Sequence, residues 1–294
     1  MAPQSEYLTT RELAELLRIK ERKVYDLAAS GKVPCSRATG KLLFSRNQIN
    51  AWLADNSSSR TPASPKQRAS VFLGSHDPLL EWALMESRSG LASFFDSSFD
   101  GLERYQNHEG IATGLHIYDA ATDEWNVPVI TERFSDQPAV LVEWAWRNRG
   151  LIVAAGTGGR YKDITSLADK RFVPRQAQAG SQQLFEYLLK ASGISPGQIE
   201  CITPARGESY AAQAVLEGKA DAAFGLEALA RQCRLEFIPI IKERFDLLID
   251  RRFWFEPPMQ TLLSFCNSQT FHNRAAELGG YDISNLGHVL FNGN

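Results

Sequence analysis

Tyr7-Leu8-Thr9-Thr10-Arg11-Glu12-Leu13-Ala14-Glu15-Leu16-Leu17, then Glu21-Arg22-Lys23-Val24-Tyr25-Asp26-Leu27, and last Ile49-Asn50-Ala51-Trp52-Leu53 set the reading of the first part of this chain. Thr9 or Thr10 can cap a helix, because a hydroxyl satisfies the orphan amides of a first turn. Leu13, Leu16 and Leu17 follow at i, i+3 and i+4, which places one apolar stripe on a short helix. Arg18-Ile19-Lys20 leaves room only for a tight turn. Glu21 to Ser30 reads as a second helix with Val24 and Leu27 inward and Arg22, Lys23 and Tyr25 outward, and Gly31 stands where a C′ glycine ends it. Beyond Pro34, residues 36 to 44 read as a small hairpin turning at Thr39-Gly40. Ser45 caps a last helix carrying Ile49, Trp52 and Leu53. Helix, tight turn, helix, basic hairpin, helix is the layout of a small α-rich winged helix-turn-helix.

Working outward, charge agrees with that layout. Residues 7 to 53 hold nine basic side chains against four acidic ones, a net of +5; the whole chain carries −2, so the remainder carries −7. One basic patch on an otherwise acidic chain is the electrostatic footprint of phosphate contact. A basic helical module that binds protein, or a solvated face, is the plainer alternative. The order of residues also resembles the MerR-like, excisionase-type DNA-binding domains, on Leu8-Thr9, Glu12-Leu13-Ala14, Val24-Tyr25, Gly31-Lys32-Val33-Pro34, Phe44-Ser45 and Ile49 to Leu53. Candidate contacts to double-stranded DNA are Thr10, Arg11, Lys20, Arg22, Lys23, Tyr25, Arg37 and Lys41. Of these, Arg22, Lys23 and Tyr25 would enter the major groove from the second helix, and Arg37 and Lys41 would lie along the backbone or in the minor groove.

At 294 residues, with 44% hydrophobic and 22% charged side chains, the chain has the composition of a soluble globular protein with room for a further large domain. Met1 to Glu6 lacks the basic and apolar regions of a secretory signal, and no apolar run approaches the roughly 18 residues of a membrane span. Cys35, Cys201, Cys233 and Cys266 lack the paired spacing of a zinc or redox site. The expected location is the cytoplasm, with no membrane partner. Residues 55 to 70 are rich in serine, proline and charge and read as a linker, so the domains are 1–54, the linker 55–70, and 71–294.

From Val71 the pattern changes to strand, small-residue loop, helix, repeated, which signals a parallel α/β sheet. Expected strands are Val71 to Leu73, Ala92 to Phe95, Gly110 to Tyr118, Ile130 to Phe134, Gly150 to Ala155, Ala220 to Gly225, Leu235 to Ile240 and Phe245 to Ile249. Helices are expected over Leu79 to Glu86, Leu102 to Asn107, Ser181 to Ala191, Tyr210 to Glu217 and, as one element, Phe255 to His272. Gly156-Thr157-Gly158-Gly159-Arg160 lacks the Lys-Ser/Thr of a phosphate-cradling loop and reads as a hinge turn. Trp144, Trp146 and Trp254 read as core or interface residues.

Open α/β sheets bind ligands beyond the carboxyl ends of their strands, where helix N-termini favour anions. Three loops have that composition: Gly74-Ser75-His76, Ser97-Ser98, and Gln176 to Ser181. Each alone is better explained as a turn and helix cap; on one sheet, together, they suggest a ligand site. The same loops carry a second resemblance, to the periplasmic-binding-protein-like domain of cytoplasmic regulators related to molybdate-binding proteins. It rests on residues 74–80, 98–102, 114–119, 125–128, 171–176, Gly180-Ser181, 218–225, 235–239 and 245–247. The resemblance implies a type II fold: two α/β lobes joined by crossing strands, clasping a small ligand, an anion of the molybdate or tungstate kind being favoured; no other cofactor and no metal are expected. Where the family runs Gly-Ser-Gly-Thr-Arg, this chain has Gln178-Ala179-Gly180-Ser181-Gln182, so the expected charged partner is missing. Candidate ligand residues are Ser75, His76, Ser98, His116, Arg175, Gln176, Gly180, Ser181 and Tyr210. Each histidine could instead be a hydrogen-bonded strand end, Arg175 could bridge the lobes, and Glu227 reads as a helix cap.

No Ser-His-Asp order, metal-ligand spacing or nucleotide loop supports an enzyme. The expectation is a ligand-responsive transcriptional regulator, dimeric on a palindromic operator. The alternative is an excisionase-like or architectural factor whose second domain senses another metabolite or only dimerises.

Overall fold

The computed structural model describes residues 6–37, 40–55 and 68–294, which fall into two compact units divided between Gln67 and Arg68. Residues 38–39 of the expected hairpin turn and 56–67 of the expected linker lie outside the described residues.

In the first unit, strand β1 (Tyr7–Leu8) leads into α1 (Thr10–Leu17), α2 (Glu21–Ala29), β2 (Phe44–Ser45) and α3 (Arg46–Asp55). Thr9 is the N-cap of α1 and forms a reciprocal capping box with Glu12, which satisfies two donors that would otherwise be orphaned. Arg18, at φ +53°, turns the chain sharply into α2. β1 and β2 pair antiparallel, and a bridge between Ser36 and Leu43 forms the base of the wing. Leu8, Leu13, Ala14, Val24, Ala28, Val33, Phe44 and Ile49 make the core. Leu16, expected inside, is exposed, because Ala14 rather than Leu16 meets α2. β1 closes the base of the wing from a segment too short for a strand period to be visible.

The second unit begins earlier than the composition suggests. Arg68 is buried, with Nε 2.8 Å from Asp250 Oδ2 and a second bond of 3.0 Å to the Gly110 carbonyl, so residues 68–70 belong to the domain. Its first lobe is built from β3 (Val71–Gly74), α4 (Pro78–Glu86), β4 (Ala92–Phe95), α5 (Ser98–Gln106), β5 (Ala112–Leu115), a short hairpin of β6 (Tyr118–Asp119) and β7 (Glu124–Trp125), and α6 (Val127–Phe134). The chain then crosses on β8 (Ala139–Val153) to a second lobe of β9 (Arg171–Val173), α7 (Gly180–Ala191), β10 (Glu200–Cys201), α8 (Glu208–Leu216), β11 (Ala222–Leu226) and α9 (Glu227–Gln232). It returns on β12 (Glu236–Asp250) and ends with α10 (Pro257–Cys266), α11 (Gln269–Leu278), β13 (Tyr281–Asp282) and β14 (Val289–Asn292). Strand order is β10-β9-β11-β8-β12-β5-β3-β4, with β13 and β14 also on β8.

The sheet is therefore mixed rather than parallel. β3, β4 and β5 pair parallel, as do β9, β10 and β11, but β8 and β12 run antiparallel through both lobes. The runs expected as separate strands at 150–155, 235–240 and 245–249 are pieces of these two 15-residue strands. Ile130 to Phe134 is helical: Pro128 opens the helix, and Ile130 and Phe134, four residues apart, are both buried on one face. Phe255 to His272 divides into two helices because Ser268 caps a new one, accepting from the Phe271 amide at 3.2 Å. Gly156 to Arg160 is no hinge: it lies beyond the outer end of β8, where the Glu236 carboxylate accepts from the amides of Gly156 and Gly158. Apolar side chains cover both faces of the sheet in each lobe, and Trp144 packs edge-on to Phe271 with ring centroids 5.5 Å apart. Among the described residues no helix is long and apolar enough to cross a membrane.

Candidate functional site

A strand places alternate side chains on one face, so Arg147 and Arg149 of β8 point the same way, and Glu243 of β12 stands in register opposite Arg147. All three are fully buried where the two strands pass between the lobes. Arg149 Nε lies 2.6 Å from Glu243 Oε2, and its Nη2 reaches Glu208 Oε1 at 2.8 Å. Arg147 binds Glu243 with one nitrogen and, at 2.9 Å, Asp77 Oδ2 with the other. Asp77 also accepts from Trp144 Nε1 at 3.1 Å and from the Tyr281 hydroxyl at 2.7 Å. Burial opposes the charge on Glu243, but Arg147 and Arg149 outweigh it and hold its carboxyl well below the usual range. The same contest at Glu208, with Arg149 and then Arg175 against burial, also ends with the pKa lowered. A chain of paired charges thus runs from Asp77 to Glu208.

Above this floor lies a cavity of about 320 Å³, of a size for a small ligand. The first lobe lines it with Ser75 and His76 after β3, Phe95, Asp96 and Ser97 after β4, and His116 after β5; the second contributes Arg175 after β9, Ala179 and Ser181 at the start of α7, and Arg206 to Tyr210 at the start of α8. Nearly all follow the carboxyl end of a parallel strand. Arg175 is only 8% exposed, and its Nε and Nη1 have no partner among the described residues. Burial pulls its guanidinium below the ordinary value, with Glu208 opposing. Burial likewise lowers the His116 imidazole, against Glu243, whose Oε2 stands 3.1 Å from Nδ1. Among the described residues neither α7 nor α8 is capped by a side chain, so both present first-turn amides towards the cavity.

Of the expected ligand residues, Ser75, His76, His116, Arg175, Ser181 and Tyr210 line this one cavity. Ser98 sits behind it, 2.8 Å from Ser75 Oγ and accepting from the His116 amide. Gly180 is where the lobes meet: a Cβ there would lie 2.7 Å from the His116 carbonyl oxygen. Gln176 is not a lining residue; its amide donates to Asp96 Oδ1 at 2.8 Å and latches the lobes across the cleft. Gln182, in place of the expected arginine, accepts from the Arg175 backbone amide at 2.8 Å, so it positions the segment whose own arginine enters the cavity. His76 also pairs with Glu81 at 3.0 Å. Glu227 holds Asn148 and Arg231 rather than a ligand. The sequence reading missed Asp96, Arg206, Glu208, Arg147, Arg149 and Glu243.

On the first unit, Arg11, Lys20, Arg22, Lys23, Tyr25, Arg37 and Lys41 are exposed. Tyr25 of α2 and Arg37 and Lys41 of the wing line one shallow hollow, and an Arg37 nitrogen ties the wing to the Ala28 carbonyl at 3.3 Å. Thr10 is the exception: its side chain is buried, which withdraws it from the candidate surface.

Residues 7–57 match the model of a helix-turn-helix domain, and residues 82–267 match that of the PBP superfamily domain. The chain is 26% identical to the uncharacterized protein YvgK of Bacillus subtilis (strain 168), over 96% of this chain and 97% of that one. It is 36% identical, over 36% of its length, to 96% of a Clostridium pasteurianum protein from the ferredoxin 2Fe-2S gene 5′ region. Among solved structures, the tungstate ABC transporter from Geobacter sulfurreducens superposes on 70% of the chain and 97% of its own with a TM-score of 0.51 at 9% identity, which shows a shared fold. With an excisionase-type helix-turn-helix at its N-terminus and a two-lobed ligand-binding fold of type II behind it, the chain belongs to the PBP superfamily.

Proposed function

We propose that this protein is a ligand-responsive transcriptional regulator: the helix-turn-helix binds promoter DNA, and the two-lobed domain closes on a small anion. The observation that carries the reading is Arg175, a buried guanidinium with two unpartnered nitrogens, lining a cleft beside two uncapped helix N-termini. An oxyanion such as molybdate or tungstate is within the size of the cleft, and the amides and hydroxyls around it are the groups that hold such anions. Closure would tighten the Gln176–Asp96 latch and the approach of Gly180 to His116. A ligand changes DNA affinity only through its preference for one of two states. The reading includes a homodimer, because one helix-turn-helix reads few base pairs and two half-sites one helical turn apart give the needed affinity.

Calorimetry of the full chain with molybdate, tungstate, sulfate and phosphate, followed by selection of duplex DNA from a random pool with and without the binding anion, tests it. Heat from at least one anion and a changed yield of selected duplex are expected. Duplex retained equally with every anion, and no heat from any, would end the oxyanion reading and leave a sensor of another metabolite or an architectural DNA-binding protein.

A further inference from the structure

The cleft offers more than positive charge. Glu208, 8% exposed, lines it and gives Oε1 to Arg149 at 2.8 Å, but its Oε2 is buried with no partner among the described residues. Arg175 and Glu208 line the same cavity yet form no ion pair within 4.0 Å among the described residues. A guanidinium with free N–H groups and a carboxylate with a free oxygen therefore face one small space and do not satisfy each other. Among the buried charges of the cleft and its floor, Asp77, Glu208 and Glu243 already balance Arg147, Arg149 and Arg175. His116 lines the same space, its Nδ1 3.1 Å from Glu243 Oε2.

We infer that the ligand of this cleft is an anion that brings its own proton donor, an O–H or N–H beside the negative group, with Arg175 taking the charge and Glu208 Oε2 taking the donor. This rests on the reading of the cleft as an anion site. A fully deprotonated oxyanion, molybdate and tungstate at pH 7 included, gives Glu208 nothing to accept and sets negative charge against it, so the anion reading narrows away from these two. An anion with a hydroxyl, an amine or a retained proton satisfies both ends. Buried polar groups that an analogue leaves unpaired are a strong source of discrimination, well beyond what a missing methylene gives.

Two pairs of probes separate the possible sources of that donor. Phosphate keeps at least one proton at pH 7 and sulfate keeps none; glycolate carries a hydroxyl beside its carboxylate and acetate does not. Calorimetry on the full chain is expected to show the donor-bearing member of at least one pair binding about tenfold tighter or better, and the discriminating pair identifies the anionic group. The E208Q variant, whose amide can donate, is expected to narrow that ratio and to bind sulfate or acetate better than the natural chain does. Equal binding within both pairs overturns this inference and leaves the anion reading intact. Binding of none of the four overturns this inference, and only if molybdate and tungstate also give no heat does the anion reading fall with it. The natural-chain comparison needs no variant, so a folding defect in E208Q does not decide the question.

Discussion

Replacing Arg147 with methionine isolates the buried charge chain from everything else in the domain. Methionine keeps an unbranched apolar stem over Phe245, whose ring centroid lies 4.3 Å from the guanidinium, but it removes the cation between Asp77 and Glu243. Removing one partner of a buried pair costs about 3–5 kcal/mol, because the remaining charge is stranded. Here the lower end applies, since Glu243 keeps Arg149 and Asp77 keeps Trp144 and Tyr281. About 3 kcal/mol in a domain of this size lowers Tm by roughly 6–12 °C. Urea unfolding followed by intrinsic fluorescence, to which Trp144 contributes, measures it. The pH dependence is a second signature. Glu243 has a depressed folded pKa, so its contribution is present above the unfolded carboxylate value and is lost as pH falls through the folded one. The variant has less of this to lose, so the gap between the two proteins holds from pH 7 to about 5 and narrows as pH falls further. Adding D77N to R147M removes the carboxylate that Arg147 alone neutralised and recovers part of the loss, a coupling that a double-mutant cycle reads directly. A loss under about 1 kcal/mol at pH 7, or a gap unchanged by pH, would refute the reasoning.

Three further outcomes are expected. In G180A the new methyl meets the His116 carbonyl oxygen at 2.7 Å, and overpacking of about 1–3 kcal/mol where the lobes meet should lower the Tm of the unliganded protein and weaken anion binding as well, read by thermal scans and calorimetry. The R22A–K23A double variant, at two exposed cations of α2, should weaken duplex binding and flatten the slope of log K against log salt by about 2 if both touch phosphate; unchanged affinity and slope together would place the interface elsewhere. Burial pushes Asp246 up to about 7 despite Arg244 and the 2.7 Å bond from Asn126. A raised carboxyl stabilises fully below its unfolded pKa and loses that contribution as pH rises through the folded one. Thermal scans should therefore show stability falling between about pH 4 and 7, with a shallower fall in D246N.

The helix-turn-helix was legible almost to the residue, because every device in it is local: a Thr9–Glu12 capping box, leucines at helical spacing, a C′ glycine at φ +67°. In the second domain, strands with unbroken apolar runs, such as Val71 to Gly74 and Ala222 to Leu226, could be placed. The crossing strands could not be seen whole, since Arg147, Arg149, Glu243 and Asp246 interrupt the pattern that marks a buried strand, and only the fold supplies their partners. Loop composition located the cleft: six of nine expected ligand residues line it. Glu208 was passed over because a glutamate at the start of a helix is also what the helix dipole favours. One signal was available, two arginines two residues apart beside Trp144 in an apolar stretch, which on a strand must share a face.

That a protein 9% identical over the superposed residues shares this fold means that the apolar layers specify the clamshell and leave its contents open. What selects the contents is one step removed from the cavity. Burial alone would keep Glu208 protonated, and a protonated carboxyl donates as well as accepts. Arg149, fully buried and absent from the cavity lining, opposes that burial most strongly and fixes Oε1, which turns Oε2 into a pure acceptor. Arg149 is itself held by Glu243, and Glu243 by Arg147. On the proposed anion reading, the demand that a ligand bring a donor would be set by strand residues outside the cavity lining, and a change along that chain would be expected to alter which anions the cleft accepts.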